Sequence, residues 1–516
     1  MTGLCYDLVM MKQARNNRII NTLCDLLLIA VPLLLFLVYA LKEKRALFAL
    51  LPRINDEVGY WRELYSFDRC FFNFGKNGWL GYKAAQIGPF GCHGLLQLFA
   101  WGWYALLFSW KVNSIYIANF ILLTVAYLLF VILIRPNHKL AILVFLFSLS
   151  FRPLNTYLNT SLMEAPCFAA MLVYFALLYY YEQKPESKNR FFLCAIAALY
   201  CTLLRICYIV VLFPAIMISN DNKINLKLII KMILYGSSFI LLYLLFSKTT
   251  AEYPQWFLTE LGGNAGSLID KLKLILAYFA NGLISYFLEI KDGIIRFMNL
   301  YASINGLITL ITVSFPQLFF TVRLTVIAVL IFLLIPSKDI QLYLKKIWMA
   351  IMLVTFIFGV IALYDTSGWL DIRITAPLLF GMIIWIFIEY DKTLHINFKN
   401  ALIILLTVTA LFITWITPKN KQAEFYPEKY QSLFSVLNDY EEVDSIVMHL
   451  DVMDSDDSLS IMYAIPPKYG VLIYTDENKI EENKPRFVFL TEKKDLKDYQ
   501  IISQEDGCGY LYLYNN

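Results

Sequence analysis

Apolar residues run along this chain in blocks too continuous for the one-sided stripe of a soluble helix and too long for the alternation of a half-buried strand. Blocks of Leu, Ile, Val and Phe that can cross about 30 Å of hydrocarbon fall at 20–41, 114–134, 139–157, 165–181, 191–205, 206–218, 226–246, 318–336, 346–364, 373–390 and 400–417. The stretch 190–218 exceeds one untilted crossing and carries Arg205 at its middle, which predicts two short helices meeting at that arginine. Leu268 to Ser314 holds either surface helices or two further crossings, giving 11 to 13 spans. Beyond residue 418 the pattern changes. A helix-like run from Pro427 to Tyr440 is followed by short β-rich runs at Ser445–Leu450, Gly470–Tyr474, Arg486–Leu490 and Tyr510–Tyr514, which predict a small α/β unit. The expected fold is therefore an all-α polytopic membrane protein with a small C-terminal α/β domain.

Composition agrees, since 59% of the 516 residues are hydrophobic and only 16% are charged, a balance that excludes an ordinary soluble enzyme. The net charge of +4 divides unevenly: residues 1–417 carry 34 Lys/Arg against 21 Asp/Glu, and residues 418–516 carry 10 against 19. That change marks a boundary near Pro418. Basic residues of the short connections, including Lys12/Arg15/Arg18, Arg135/Lys139, Lys184/Lys188/Arg190, Lys223/Lys227/Lys231, Lys338/Lys345/Lys346 and Lys392/Lys399, all fall on one side of the span pattern. The positive-inside rule makes that side the cytoplasm. Residues 1–19 are then a cytoplasmic N-terminus, 20–417 a transmembrane domain with outer loops at 42–113 and 247–317, and 418–516 an acidic domain outside the cytoplasmic membrane. Counting the apolar His93–Trp110 stretch as a crossing would invert every later loop, so it is expected to lie on the outer surface as an amphipathic helix. Nine cysteines without Cys-x-x-Cys spacing give no metal or disulfide framework. The acidic run Asp451–Asp457 lacks the spacing of a calcium loop, and the absence of a basic patch outside the cytoplasmic loops excludes nucleic acid.

Four ionisable elements remain that a membrane does not tolerate without cause. Asp56 and Glu57 open the first outer loop, Glu164 heads a span, Arg205 sits inside the paired helices, and Arg373 lies at the outer end of a late span, four residues before Pro377. Carboxylates accept a proton from an alcohol, and arginines hold a phosphate through planar N–H donors. Together they describe alcohol attack on a phosphate-activated substrate. Tyr60, one turn beyond the acidic pair, and His93 are the candidate substrate-loop residues.

In these positions the chain resembles the GT-C class of integral membrane glycosyltransferases, which use polyprenyl-phosphate sugars, especially the protein O-mannosyltransferase and aminoarabinose-transferase-like branch. The resemblance covers residues 20–417. It implies a polyprenyl-phosphate-linked sugar donor, a glycan, lipid or protein acceptor, a catalytic base at Asp56, and Glu57 and Glu164 supporting that base or contacting a metal. Arg205 and Arg373 are implied to bind the donor phosphate. A divalent metal is left open; the metal-ligating His or Glu that several members of the class carry in the middle outer loop would here have to be His93, Glu252, Glu260 or Glu289. A flippase or transporter of lipid-linked saccharides, or a polymerase of such repeats, is the alternative reading of the same charges.

Overall fold

The computed structural model describes residues 19–43, 47–48, 50–52, 56–70, 98–247, 315–363, 369–390, 425–441, 445–453, 455–474, 480–481 and 484–515, with a few isolated positions between 269 and 280. The expected crossing at 400–417, the boundary near Pro418, His93 and most of the middle outer loop lie outside the described residues.

Backbone polar groups in hydrocarbon must be satisfied within their own segment, so the apolar blocks fold as helices. The first block is bent, with α1 (Ile19–Ile29) and α2 (Val31–Glu43) meeting at 53°. The polar α3 (Asp56–Cys70) follows, then a π-helical turn at Leu98–Gly102 continued by α4 (Trp103–Leu107). Of the surface helix expected over His93–Trp110, the described residues are helical from Leu98 to Leu107 and leave the helix at Phe108. The membrane helices α5 (Ser114–Ile134), α6 (His138–Ser150), α7 (Arg152–Leu158), α8 (Glu164–Glu182) and α9 (Lys188–Leu204) come next. A 3-10 turn at Ile206–Val211, α10 (Leu212–Ile218) and α11 (Leu226–Ser247) complete the first half. After the middle loop lie α12 (Phe315–Leu334), α13 (Ile340–Leu363) and α14 (Trp369–Tyr390). Among the described residues five helices are long and apolar enough to cross a membrane, or seven if each bent pair is one span.

Local chemistry sets the breaks. Asn137 accepts from the Lys139 and Leu140 amides to start α6, and Ser187 accepts from the Arg190 amide to start α9, each offsetting amides the first turn leaves open. Arg205 itself is extended, at φ −154° and ψ 126°, so the split inferred at this arginine is where the helix stops. Neither half is a full crossing by length. Of the lysines assigned to the connection before 346, Lys338 lies in it, whereas Lys345 and Lys346 lie within α13, which begins at Ile340.

The bundle is built around α8, which is buried along most of its length against α5, α9 and α14. Phe147, Phe151, Phe168 and Phe380 form one aromatic cluster, with centroids of 5.1 to 6.2 Å between contacting rings. Gly381 permits the close approach of α14 to α8, because a Cβ there would run into the Phe175 ring.

The C-terminal unit contains α15 (Glu428–Ser435), β1 (Ser445–His449), α16 (Leu450–Met453), α17 (Ser458–Ala464), β2 (Gly470–Tyr474), β3 (Phe487–Leu490), β4 (Tyr499–Glu505) and β5 (Gly509–Tyr514). Its sheet has the order β2-β1-β3-β5-β4. β1 pairs parallel with β2 and β3, while β5 pairs antiparallel with β3 and β4. Four strands match the β-rich runs. β4 was not expected, because it is polar and its alternation slips at a register shift between Ile501 and Ser503.

Candidate active site

Two acidic side chains in the first turn of α3 complement the positive end of that helix. The helix is polar on average yet mostly buried, and its orientation is fixed by indole hydrogen bonds. Trp61 Nε1 donates to the Lys111 carbonyl at 3.0 Å, and Trp110 Nε1 donates to the Trp61 carbonyl at 3.2 Å. Asp68 Oδ2 also accepts from the Trp110 amide at 3.2 Å. These contacts present Asp56 to the bundle.

Glu164 is the first residue of α8, followed at the tolerated first-turn position by Pro166. Its side chain is fully buried and lies between two guanidiniums that share one oxygen: Arg205 Nη2 donates to Oε1 at 2.5 Å and Arg373 Nε donates to the same atom at 3.0 Å. Arg373 Nη1 reaches Asp56 Oδ2 at 3.4 Å. Four residues separated by up to 317 positions in sequence therefore meet at one end of the α8–α14 pair. Pro377 offers no N–H to the Arg373 carbonyl, and Tyr208 Oη donates to the neighbouring Ile374 carbonyl at 2.7 Å, fixing this part of α14 against the turn that follows Arg205.

Exposure separates the two acids. The Asp56 side chain is 38% exposed and that of Glu164 is 0%. Glu164 is a buried counter-charge that fixes both arginines; Asp56 is the carboxylate that another molecule can reach. Glu57 turns elsewhere, accepting from Ser161 Oγ at 2.9 Å and Tyr116 Oη at 3.5 Å. It links α3 to α5 and to the α7–α8 connection. Tyr60 is buried, with its ring centroid 5.9 Å from that of Trp101. Burial raises its hydroxyl pKa well above the ordinary value, and the nearby Asp56 adds to the rise.

Asp56, Glu164, Arg205 and Arg373 are thus brought together, Glu57 borders them, Tyr60 backs them, and His93 lies outside the described residues. Sequence reasoning gave no role to Ser161, three residues before Glu164, or to Tyr116 in the first turn of α5; a hydroxyl at the edge of an apolar run was the available signal. It also missed a second charged cluster at the opposite end of the same helices. There Lys345 Nζ of α13 lies 2.8 Å from Glu182 of α8 and 3.4 Å from Glu389 of α14. Reading Lys345 as a loop residue concealed it.

One oxygen of each acid in the cluster is already engaged by a cationic or hydroxyl group: Glu164 Oε1 by two guanidiniums, Glu57 Oε2 by two hydroxyls, and Asp56 Oδ2 by Arg373. Among the described residues no group of three His, Cys, Asp or Glu gathers about one point. His93, Glu252, Glu260 and Glu289 lie outside them.

No family model matches the chain, and no curated protein matches it in sequence. Solved structures overlap it loosely. An Archaeoglobus fulgidus oligosaccharyltransferase in complex with zinc and sulfate is 13% identical, with a TM-score of 0.44 over 87% of this chain and 62% of the other. The Archaeoglobus fulgidus oligosaccharyltransferase AglB with an inhibitory peptide and a dolichol-phosphate is 11% identical, with a TM-score of 0.42 over 90% and 69%. ArnT from Cupriavidus metallidurans bound to undecaprenyl phosphate is 11% identical, with a TM-score of 0.39 over 94% and 97%. The present chain spans less than two thirds of the first of these. At these overlaps the similarity carries neither a residue role nor an activity across.

Proposed function

We propose that this chain is a membrane glycosyltransferase that moves a sugar from a polyprenyl-phosphate donor to a hydroxyl acceptor on a glycolipid, polysaccharide or protein, at the outer face of the cytoplasmic membrane. The observation that carries this reading is a half-exposed Asp56 set beside two arginines that the buried Glu164 holds in place. The acceptor oxygen bonds to the anomeric carbon as the bond from that carbon to the phosphate oxygen breaks. Its proton passes to Asp56, and the bonding pair leaves with polyprenyl phosphate. Arg205 and Arg373 face the phosphate as its charge grows; donors fixed in advance stabilise such charge without reorganising during the reaction. Glu164 orients the guanidiniums, Glu57 anchors the start of α3, and Tyr60 supports the wall behind Asp56. Each proposed step uses side chains of this chain alone.

Purified protein in liposomes, supplied with a panel of undecaprenyl-phosphate sugars and a lipid acceptor extract, tests the reaction class. Transfer by the wild type, with weaker binding of undecaprenyl phosphate in Arg373→Ala, is the expected result. Loss of a charged hydrogen-bond partner costs about 1.5–3 kcal/mol, or roughly 10- to 150-fold in affinity. No transfer with any donor, together with undiminished undecaprenyl phosphate binding by Arg373→Ala, would overturn the proposal.

A further inference from the structure

Arg62 lies six residues after Asp56, about 9 Å along the same helix, and plays no part in the charge cluster. Its side chain is buried and reaches out of α3 into the C-terminal domain. Nη1 donates to the carbonyls of Met462 and Ile465, both at 2.9 Å. Nη2 donates to the carbonyls of Pro466 at 2.9 Å and Tyr469 at 3.1 Å. These four acceptors are the end of α17 and the turn that follows it. The last carbonyls of a helix have no partner within the helix and carry the negative end of its dipole, so a planar cation with several donors is the group that suits them. Burial draws the guanidinium pKa down to about 10, which leaves it charged at neutral pH. Beside it the rings of Trp61 and Tyr65 on α3 stack on Tyr463 of α17, at centroid distances of 6.0 and 5.4 Å, and Phe425 meets Tyr463 edge-on. Polar caging and aromatic stacking thus bind one face of α3 to residues 425–469, while its first turn carries Asp56 toward Arg373.

We propose that the C-terminal domain is a positioning element for α3, with Arg62 as its clamp: the domain holds the helix in the placement that keeps Asp56 at the arginine cluster. The proposal rests on the transferase reading for its kinetic consequence and on geometry alone for its structural one. Arg62 touches neither donor nor acceptor; it acts through the helix it holds. Misplacement of a reacting group by about 1 Å can cost on the order of 100-fold in rate, and a positioning defect appears in kcat with donor KM largely unchanged.

The test compares full-length wild type, Arg62→Ala and Arg62→Lys in liposomes, reading kcat and KM for transfer and, separately, hydrogen exchange of the α3 amides. Arg62→Ala is expected to lower kcat by roughly 100-fold with donor KM nearly constant and to speed exchange along α3. Arg62→Lys, which cannot span four carbonyls, is expected to fall between them. Tyr65→Cys with Tyr463→Cys, bridged by a short reducible thiol cross-linker, should restore both kcat and protection to Arg62→Ala and lose them on reduction. Wild-type kcat and exchange in a folded Arg62→Ala, or a bridge that restores neither, would overturn the proposal. If Arg62→Ala does not fold, Tyr463→Ala loosens the same interface from its exposed side; unchanged α3 exchange in that variant would equally overturn it. If the wild type transfers no sugar, the transferase reading fails while the exchange measurements still decide the positioning claim.

Discussion

Glu164→Gln removes the one fully buried negative charge between Arg205 and Arg373 while keeping the shape of the side chain. The two guanidinium nitrogens now share Oε1 at 2.5 and 3.0 Å, so they lie no more than about 5.5 Å apart. With the carboxylate neutral, two positive charges at that separation repel by about 3 kcal/mol at an effective dielectric of about 20. Leaving buried charge without its partner costs on the order of 3–5 kcal/mol in measured cases, so the two estimates agree. The variant should unfold at a clearly lower temperature, followed through the fluorescence of the chain's ten tryptophans. An anion entering between the arginines would take over the role of the lost carboxylate. Undecaprenyl phosphate should therefore raise the unfolding temperature of Glu164→Gln more than that of the wild type, while transfer slows because the arginines are no longer held in place. An unchanged unfolding temperature would refute the reasoning, since it would mean that Glu164 does not hold the pair together.

Other outcomes follow from the same structure. Lys345→Met strips the cation from between Glu182 and Glu389 and should lower the unfolding temperature by an amount equivalent to about 3–5 kcal/mol, with Lys345→Arg largely retaining it. Gly381→Ala forces α14 away from Phe175; overpacking costs typically 1–3 kcal/mol, and a slower transfer rate should accompany it because Arg373 rides on the same helix. In the C-terminal domain, burial tends to raise the Asp457 carboxyl, but hydrogen bonds from Lys429 Nζ at 2.8 Å and Tyr430 Oη at 2.5 Å outweigh it and hold the pKa below the ordinary value. A carboxylate depressed in the folded state contributes stability above its unfolded pKa near 3.8 and loses it as pH falls through the folded value. Acid unfolding of this domain should therefore lessen in steepness in Asp457→Asn, as monitored by circular dichroism below pH 4.

Much of the architecture was legible because lipid leaves a segment few choices. An apolar block must be a helix, and Arg205 marked a break because an arginine inside such a block needs an irregular backbone or a partner, and here it has both. The acids and arginines were visible as costly exceptions. Their division of labour was not, since adjacent Asp56 and Glu57 are chemically alike in sequence, and only packing turns one toward Arg373 and the other toward Ser161. Arg62 was invisible for a different reason. A polar helix with charges on several sides reads as solvated, and nothing local to it reveals that four carbonyls some 400 positions later converge on its side chain. Lys345 was hidden by basicity itself, because a lysine near a helix end fits a cytoplasmic loop as well as it fits a buried pair.

The most direct measurement is transfer by Asp56→Asn in liposomes at saturating donor, read beside undecaprenyl phosphate binding by the same preparation. Asparagine keeps the size of the side chain and removes its ability to take a proton. General-base catalysis contributes about 10²- to 10⁴-fold, so kcat should fall within that range while undecaprenyl phosphate binds as it does to the wild type. A kcat for Asp56→Asn equal to that of the wild type would contradict the assignment of Asp56 as the base.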